Sequence, residues 1–401
     1  MKEMITEAYN KVFGKLMDSI KGSFGNKLGV NNAEKYIKGL TSTAERKNGW
    51  QIAESQGEKE PYAIQQFIYR GRWEADGVRD NLQGYIKETM VEEEGICIID
   101  DTGFIKKGKK SAGVQRQYTG TVGKVENCQI GVFLTYMSSK GYTMADRELY
   151  LPEEWTKDEE RRKEAGIPKE VKFKTKPEMG LEMIKRAKKN GLIYKYVTAD
   201  CSYGDDGRIR GWLEEQGEGY VVAVSGKCYV PIEGEKKRIS EIIEEAGEEG
   251  FELISTGEGT KGNRNYNWKK IEIESSGKEG FERCVLIRRS IDGSEETRAF
   301  ICHYIEGTTE EELVKIAGTR WKIEQSFEES KGEVGLDEYE MRSYKGWYKH
   351  ITLSMCAHTL ITGIQNEIEN SSFIPQESNE DRVYPLTMDE AIEGIKKGVS
   401  I

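Results

Sequence analysis

Apolar residues near the start of the chain recur at helical spacing. Ala8, Val12, Leu16 and Ile20 follow one another at intervals of four residues, which places them on one face of a helix. Glycines and polar turns interrupt this pattern until about residue 88. We therefore predict a small helical region over residues 1–90.

The pattern changes at about residue 91, where short apolar runs replace the helical spacing. Residues 96–99 read Ile-Cys-Ile-Ile and stop at Asp100-Asp101-Thr102-Gly103, which predicts a buried strand that ends in a turn. Further strand-like runs occupy residues 118–121, 129–137, 192–198 and 220–224. A charged, helix-prone segment with Pro152, Pro168 and Pro177 follows residue 137. Helical patterns cover residues 179–189 and 206–216. This alternation predicts a mixed α/β sheet over residues 91–225.

A second group of strand-like runs indicates an inserted, mostly β subdomain over residues 226–306. Its runs are residues 251–256, 268–273, 283–289 and 297–304. Helical spacing returns after Thr309, with Glu312 three residues later as in a capping box. We predict a helical segment over residues 307–368, followed by an acidic tail over residues 369–401.

Composition restricts the class of protein. The 401 residues are 36% hydrophobic and 32% charged, without an apolar run that could span a bilayer and without the apolar core of a signal peptide, so we expect a cytosolic protein. Seven scattered cysteines without a CxxC pair argue against a zinc ribbon or a disulfide framework. The net charge of -10 argues against a long phosphate footprint, although basic clusters at residues 106–116 and 185–189 provide local exceptions.

Three acidic residues are candidates for a metal site. Asp101 and Asp200 each follow a predicted buried strand, and Glu324 lies on a predicted helix. Carboxylates that converge from two strand ends and a crossing helix are suited to hold two divalent ions for phosphoryl transfer. Each residue also has an ordinary alternative, because aspartates are common in turns and charges at helical spacing form surface ion pairs.

The longest motif changes this balance. In RWKIEQSFEESK, Arg320, Glu324 and Lys331 stand in the spacing R-x3-E-x6-K. This string resembles the third catalytic motif of cut-and-paste insertion-sequence transposases of the DDE superfamily. IIDDTGFIKKGKKS resembles the first-aspartate motif and VTADCSYGDD the second, while GTKGNRNYNW and the segment from AGTRW to CAH are similar to insertion-sequence family seven hundred and one. The resemblance covers residues 100–358.

The resemblance implies a ribonuclease H-like core with a mostly β insertion, and it implies roles for individual residues. Asp101, with Asp100 as its alternate, Asp200 and Glu324 would hold two Mg²⁺ ions, with Mn²⁺ as a substitute. Arg320 and Lys331 would bind phosphates beside the cleaved bond. One position departs from the pattern: relatives carry tyrosine where this chain has Ala317.

The resemblance also implies partners. We expect double-stranded DNA, namely terminal inverted repeats and target DNA, to be bound at the bacterial nucleoid, and the need to hold two ends at once indicates a homodimer. The N-terminal helices are a candidate region for binding DNA ends through the aromatic and basic residues 67–73, with packing of a helix pair as the favoured alternative. The expected backbone contacts are Lys106, Lys107, Lys109 and Lys110, on a predicted β-hairpin, and Trp268 is a candidate for stacking on a flipped base, with packing in the core as its favoured alternative. The competing classes are a hydrolytic nuclease without strand transfer, a transposon-derived DNA-binding protein and a metabolic enzyme.

Overall fold

The N-terminal part of the computed structural model is helical, as the apolar spacing predicts. The structure describes residues 2–259, 262–292, 294, 296–370 and 394. The predicted acidic tail therefore lies almost entirely outside the described residues. The first five helices are α1 (Lys2–Ile20), α2 (Lys27–Leu40), α3 (Gly49–Ser55), α4 (Tyr62–Tyr69) and α5 (Ala75–Thr89), with a short 3-10 helix at Lys21–Phe24.

One ten-stranded sheet dominates the rest of the fold, which confirms a mixed α/β architecture. The strands are β1 (Ile96–Ile105), β2 (Gln115–Thr119), β3 (Lys124–Ser138), β4 (Gly141–Tyr150), β5 (Tyr196–Ala199), β6 (Gly219–Val224), β7 (Tyr229–Ile232), β8 (Glu235–Arg238), β9 (Glu252–Gly259), β10 (Gly262–Glu272), β11 (Phe281–Arg289) and β12 (Thr297–Ile305). Along the sheet the order is β2-β3-β1-β5-β6-β12-β11-β10-β9, and β4 pairs with β3. The short strands β7 and β8 form a separate pair.

The centre of the sheet determines where strand ends meet. β1 is parallel to β5, with Ile99 opposite Ala199, and β5 is parallel to β6. The pairing of β1 with β5 ends at Ile99 and Ala199, so the residues that follow them, Asp100 and Asp200, are neighbours at the end of β5. The apolar run of β1 is buried, as expected for a strand covered on both faces.

Strand β4 was not predicted, because its charged residues resemble a surface segment. Asp146 and Arg147 are fully buried in this strand. Ion pairs with Arg186 and Asp76 compensate their charges, so the strand tolerates them inside the protein. Strand β5 also differs from the prediction, because it begins at Tyr196 rather than at Leu192.

Helices pack on both faces of the sheet. They are α6 (Glu153–Lys157), α7 (Glu159–Ala165), α8 (Lys176–Lys189), α9 (Cys201–Gly204), α10 (Gly207–Gln216), α11 (Ile239–Glu245), α12 (Glu310–Thr319), α13 (Trp321–Val334) and α14 (Tyr344–Glu369). Most of α14 is buried, because it packs against α1, α2, α5 and β4 at once. Among the described helices, none has the length and apolar character needed to cross a membrane.

The strands of the predicted insertion continue the main sheet instead of forming a sheet of their own. β12 pairs with β6 in antiparallel register, and β11, β10 and β9 follow outward. A second apolar cluster, which includes Trp268, Phe300 and Leu313, lies between these strands and α12. The strands are therefore held against the helix that precedes α13.

A buried histidine joins α14 to the N-terminal helices and predicts sensitivity to acid. The carbonyl oxygen of Gly335 accepts from Nε2 of His350 at 3.0 Å, which leaves Nδ1 to accept from the hydroxyl of Tyr36 at 2.8 Å. Burial lowers the pKa of His350 from 6.5 to about 4. The unfolded chain therefore binds the proton first, and the free energy of unfolding should fall as pH falls from 6.5 towards 4.

Urea unfolding followed by circular dichroism across this pH range tests the prediction. In His350→Gln we expect a shallower dependence on pH, whatever its stability at neutral pH. An equally steep dependence in the variant would contradict the assignment to His350.

Candidate active site

Two adjacent carboxylates lie in the middle of β1, where its pairing with β5 ends. The turn predicted at residues 100–103 is wrong, because these residues continue the antiparallel ladder with β3. Asp100 Oδ2 accepts a hydrogen bond from Arg320 at 3.1 Å, while its Oδ1 accepts from the backbone N–H of Asp101. Asp101 accepts from the hydroxyl of Tyr203 at 3.0 Å and from Lys176 Nζ at 2.8 Å. The two side chains therefore have separate partners although they are neighbours in the chain.

Asp200 follows β5 directly and begins helix α9. Its side chain accepts from the backbone N–H of Ser202 at 2.9 Å, as an N-cap aspartate does. Because β1 and β5 are parallel and in register at Ile99 and Ala199, this loop lies beside the carboxyl pair of β1. Asp200 therefore does cap a turn, as its ordinary alternative predicts. The same cap holds its carboxylate at the edge of the sheet.

Glu324 lies on the first turns of α13, on the same side of the sheet edge. Its carboxylate accepts from Arg320 Nη2 at 2.5 Å, and the other terminal nitrogen of this guanidinium binds Asp100. One arginine therefore bridges Glu324 and Asp100. The Glu324 side chain is 57% exposed, so it is free to adopt other rotamers.

The three aspartates influence one another electrostatically. Burial, and then the Asp200 carboxylate, raise the pKa of Asp100. Burial, and then Asp101, raise the pKa of Asp200. The four carboxylates of Asp100, Asp101, Asp200 and Glu324 also outnumber the two cations bonded to them, Arg320 and Lys176, so additional positive charge would stabilise this edge.

Hard oxygen donors with raised pKa values fit a divalent cation such as Mg²⁺. Within the described part of the chain, however, no three His, Cys, Asp or Glu side chains are grouped closely enough to hold a metal ion. Arg320 and Lys176 are bonded to the carboxylates instead. A metal site here requires those two cations to release the oxygens and Glu324 to change rotamer.

The basic residues of the longest motif contact the same edge. Lys331 Nζ donates to Thr102 Oγ1 at 2.7 Å and to the Gly103 carbonyl at 3.1 Å, and burial lowers its pKa. Lys331 therefore contacts the two residues that follow Asp101 in β1. Arg320 is mostly buried and carries its charge between Asp100 and Glu324.

The four lysines after β1 are not on a hairpin, and this expectation is corrected. β1 and β2 both pair with β3 and not with each other, so residues 106–114 form a connection across β3. Lys106 packs over the ring of Tyr339, at 3.5 Å from its centroid, and burial lowers its pKa to about 8. Lys110 pairs with Glu164, while Lys107 and Lys109 are exposed. These lysines line an open groove of about 510 Å³ together with Arg342 and Glu340.

Trp268 occupies the position expected of a core tryptophan. Its ring is 1% exposed and packs against Phe300 at 5.7 Å between centroids. Ala317, the departure from the tyrosine pattern, is buried in the same cluster. The histidines are structural: His303 and His350 bond to backbone carbonyls and His358 contacts Thr143.

Sequence reasoning missed two residues that hold Asp101. Tyr203 is part of the second-aspartate motif, three residues after Asp200. Its place in this motif could have indicated that its side chain lies near the carboxylates. Lys176 is the first residue of α8, after the N-cap Thr175, and its contact with Asp101 spans 75 residues of sequence. No local pattern indicates such a contact.

Comparison with known proteins agrees with this arrangement. A family model described as DDE superfamily endonuclease matches residues 22–235, and one described as Transposase DDE domain matches residues 176–360. The first range includes Asp100, Asp101 and Asp200, and the second includes Asp200 and Glu324. A probable transposase for insertion sequence element IS701 from Microchaete diplosiphon is 32% identical over 203 residues, which is 50% of this chain and 50% of that protein. The match thus spans half the length of this relative.

Proposed function

Since the chain belongs to the DDE superfamily of endonucleases, we propose that it is a transposase that cuts the ends of a DNA element and joins them to target DNA. The observation that carries the proposal is the bridge from Asp100 through Arg320 to Glu324, beside Asp101 and Asp200. It links a carboxylate of β1 with one of α13. Such a set is what in-line phosphoryl transfer needs.

We propose Asp101, with Asp100 as its alternate, Asp200 and Glu324 as the residues that hold two divalent ions, Mg²⁺ or Mn²⁺. Bound ions supply a nucleophile at neutral pH and stabilise the charges of the attacking and leaving oxygens. The raised pKa values of Asp100 and Asp200 support this role, because a site that favours added positive charge favours cations. Tyr203 holds Asp101 in place through its hydroxyl.

Arg320 and Lys331 have the chemistry to bind the DNA backbone at this edge. The Arg320 guanidinium could bind phosphate oxygens through two parallel hydrogen bonds if ions took its place at Asp100 and Glu324. Lys331 provides a point charge next to Thr102. Lys106, Lys107, Lys109 and Lys110 would extend the positive surface along the groove that they line, which supports a path for duplex DNA.

Strands β4-β3-β1-β5-β6 would form the ribonuclease H-like core, with β9–β12 as its inserted part and the N-terminal helices as the region that binds DNA ends. Two element ends must be held for joining, so we propose a homodimer on DNA. The same carboxylates would serve both steps: water cuts first, and the freed 3′-hydroxyl then attacks target DNA.

Incubation with DNA that carries the flanking inverted repeats, in Mg²⁺, tests the proposal. We expect cleavage by the natural chain and a loss of about 10³-fold or more in Glu324→Gln, because several kcal/mol of transition-state stabilisation depend on the site. Glu328→Gln, one helical turn further along α13, is the matched control and should retain activity. Equal activity of Glu324→Gln and the natural chain would contradict the proposal.

A hydrolytic nuclease without strand transfer is the second candidate function, and a transposon-derived DNA-binding protein is the third. Products in which the element end is joined to a target plasmid exclude the nuclease. Cleavage that depends on Glu324 excludes a protein that only binds DNA.

A further inference from the structure

A cleft lined by arginines adjoins the candidate active site. It is a small cleft, with a cavity volume of about 60 Å³, and it opens to solvent. Four of its described lining residues are arginines, namely Arg264, Arg288, Arg298 and Arg320, and no described lining residue is acidic. Because Arg320 also binds Asp100 and Glu324, the cleft borders directly on the carboxylates.

Three neighbouring strands bring the other arginines together. Arg264 lies on β10, Arg288 on β11 and Arg298 on β12. Arg288 and Arg298 are directly opposite each other in the antiparallel ladder. Like charges directly opposite each other on neighbouring strands destabilise a sheet. An anion bound by both arginines would therefore stabilise the pair.

The charges of the cleft are only partly compensated within the described protein. Glu296 is the carboxylate that pairs with Arg298, at 2.5 Å, and with Arg288, at 3.4 Å, and it is partly exposed. Arg264 has no carboxylate within ion-pair distance among the described residues; its Nη2 donates to the Gly318 carbonyl at 3.2 Å. Burial lowers the pKa of Arg288, and the charges of Arg298 and Arg320 lower it further.

Several donors in the cleft also lack partners. The Nε atoms of Arg264 and Arg288 and the indole nitrogen of Trp268 are buried without a hydrogen-bond partner in the described structure. Buried donors are nearly always satisfied in folded proteins, so such a group of exceptions requires an explanation. A ligand with several acceptor oxygens would provide one.

Aromatic rings hold two of the guanidinium groups in position. Arg264 lies over the ring of Trp321, at 4.8 Å from its centroid, and Arg288 lies over Tyr266 at 4.3 Å. These contacts reduce the conformational freedom that the arginines would lose on binding. The cleft is therefore prepared for a planar, bidentate interaction with an oxyanion.

We propose that the arginine cleft binds one backbone phosphate of the DNA strand, next to the phosphate that is cut. This inference rests on the proposed function, since it identifies how the β9–β12 strands position the DNA for cleavage. Guanidinium groups bind phosphate through paired hydrogen bonds, and the cleft offers several of them on one side of Glu324. In this role Arg264 and Arg288 are binding residues and not part of the carboxylate site.

The test measures the binding of a fluorescein-labelled duplex with the inverted repeat, by anisotropy without divalent metal and at several salt concentrations. For Arg264→Gln and Arg288→Gln we expect binding that is about tenfold weaker and a slope of log affinity against log salt that is smaller by about 0.9. Arg289→Gln is the matched control: it is the next residue on β11, pairs with the exposed Glu248, and should leave both quantities unchanged.

Duplexes with single neutral methylphosphonate linkages identify the phosphate. In the natural chain one linkage near the cut should weaken binding, and in Arg288→Gln the same linkage should have no further effect. A set of 5′-phosphorylated and 5′-hydroxyl ends distinguishes a terminal phosphate from an internal one. If every linkage has the same effect in both proteins, the cleft binds no phosphate and the inference is wrong.

Protein folding and catalysis are tested separately. If a glutamine variant shows no cooperative thermal transition, the lysine variants Arg264→Lys and Arg288→Lys are measured instead. Lysine keeps the charge but loses the bidentate geometry, so these variants should bind DNA about threefold more weakly. Unchanged binding would overturn the inference. If the arginine effects are found but the natural chain never cleaves, the phosphate site stands and the proposed function fails. If the natural chain cleaves DNA but every variant binds it normally, the proposed function stands and the phosphate site fails.

Discussion

Asp200→Asn is expected to lower the rate of DNA cleavage by about 10³-fold or more, because several kcal/mol of transition-state stabilisation are lost with one ligand of the ions. Asparagine keeps the N-cap hydrogen bond to Ser202 and so preserves the start of α9. The variant should therefore fold and bind DNA normally. Cleavage of labelled inverted-repeat DNA and anisotropy of the same DNA measure the two properties.

Asp206→Asn is the matched control for this experiment. Asp206 caps the next helix, α10, and its carboxylate pairs with Arg208. It has no part in the carboxylate site. Its replacement should change the cleavage rate little. Equal losses in Asp206→Asn and Asp200→Asn would mean that the loop conformation, and not a metal ligand, determines activity.

The same assay decides between the two carboxylates of β1. With Asp101 as the first ligand, Asp101→Asn should match Asp200→Asn, while Asp100→Asn should retain measurable cleavage. Asp100 would then act by holding Arg320, which is a positioning role. The reverse ranking of the two variants would assign the ligand to Asp100.

Asp146→Ala is expected to lower the free energy of unfolding by about 3–5 kcal/mol, because it removes the carboxylate of a buried ion-pair network. Asp146 is 0% exposed and pairs with Arg186 at 2.7 Å and with Arg79 at 3.5 Å. Its loss removes the fully buried partner of Arg186, on α8, and of Arg79, on α5. Arg186 keeps only Glu148, and Arg79 keeps only the exposed Asp76 and Asp80. Because α8 begins with Lys176, the change should also loosen the contact with Asp101.

Urea unfolding followed by circular dichroism measures this effect. Asp80→Ala is the control, since Asp80 pairs with the same Arg79 but is 48% exposed, and it should cost less than about 1 kcal/mol. A loss in Asp146→Ala no larger than that in Asp80→Ala would contradict the network's importance.

The local elements could be predicted because their signals are local. The four-residue spacing from Ala8 to Ile20 predicts α1, and the apolar run before Asp100 predicts the buried start of β1. Strand β4 could not be predicted, because the partners of Asp146 and Arg147 come from other helices. Periodicity alone assigns a charged segment to the surface.

The amino-acid order by itself determined the types of most elements, the carboxylate that follows β5 and the R-x3-E-x6-K helix, but it ended β1 too early, at Ile99 instead of Ile105. The tertiary structure alone decided that Arg320 bridges Asp100 and Glu324, that Lys176 and Tyr203 hold Asp101, and that arginines from three strands share one cleft. Hydrophobic spacing acts over one or two turns of chain, whereas the Arg320–Asp100 contact spans 220 residues and exists only because packing brings α13 against β1.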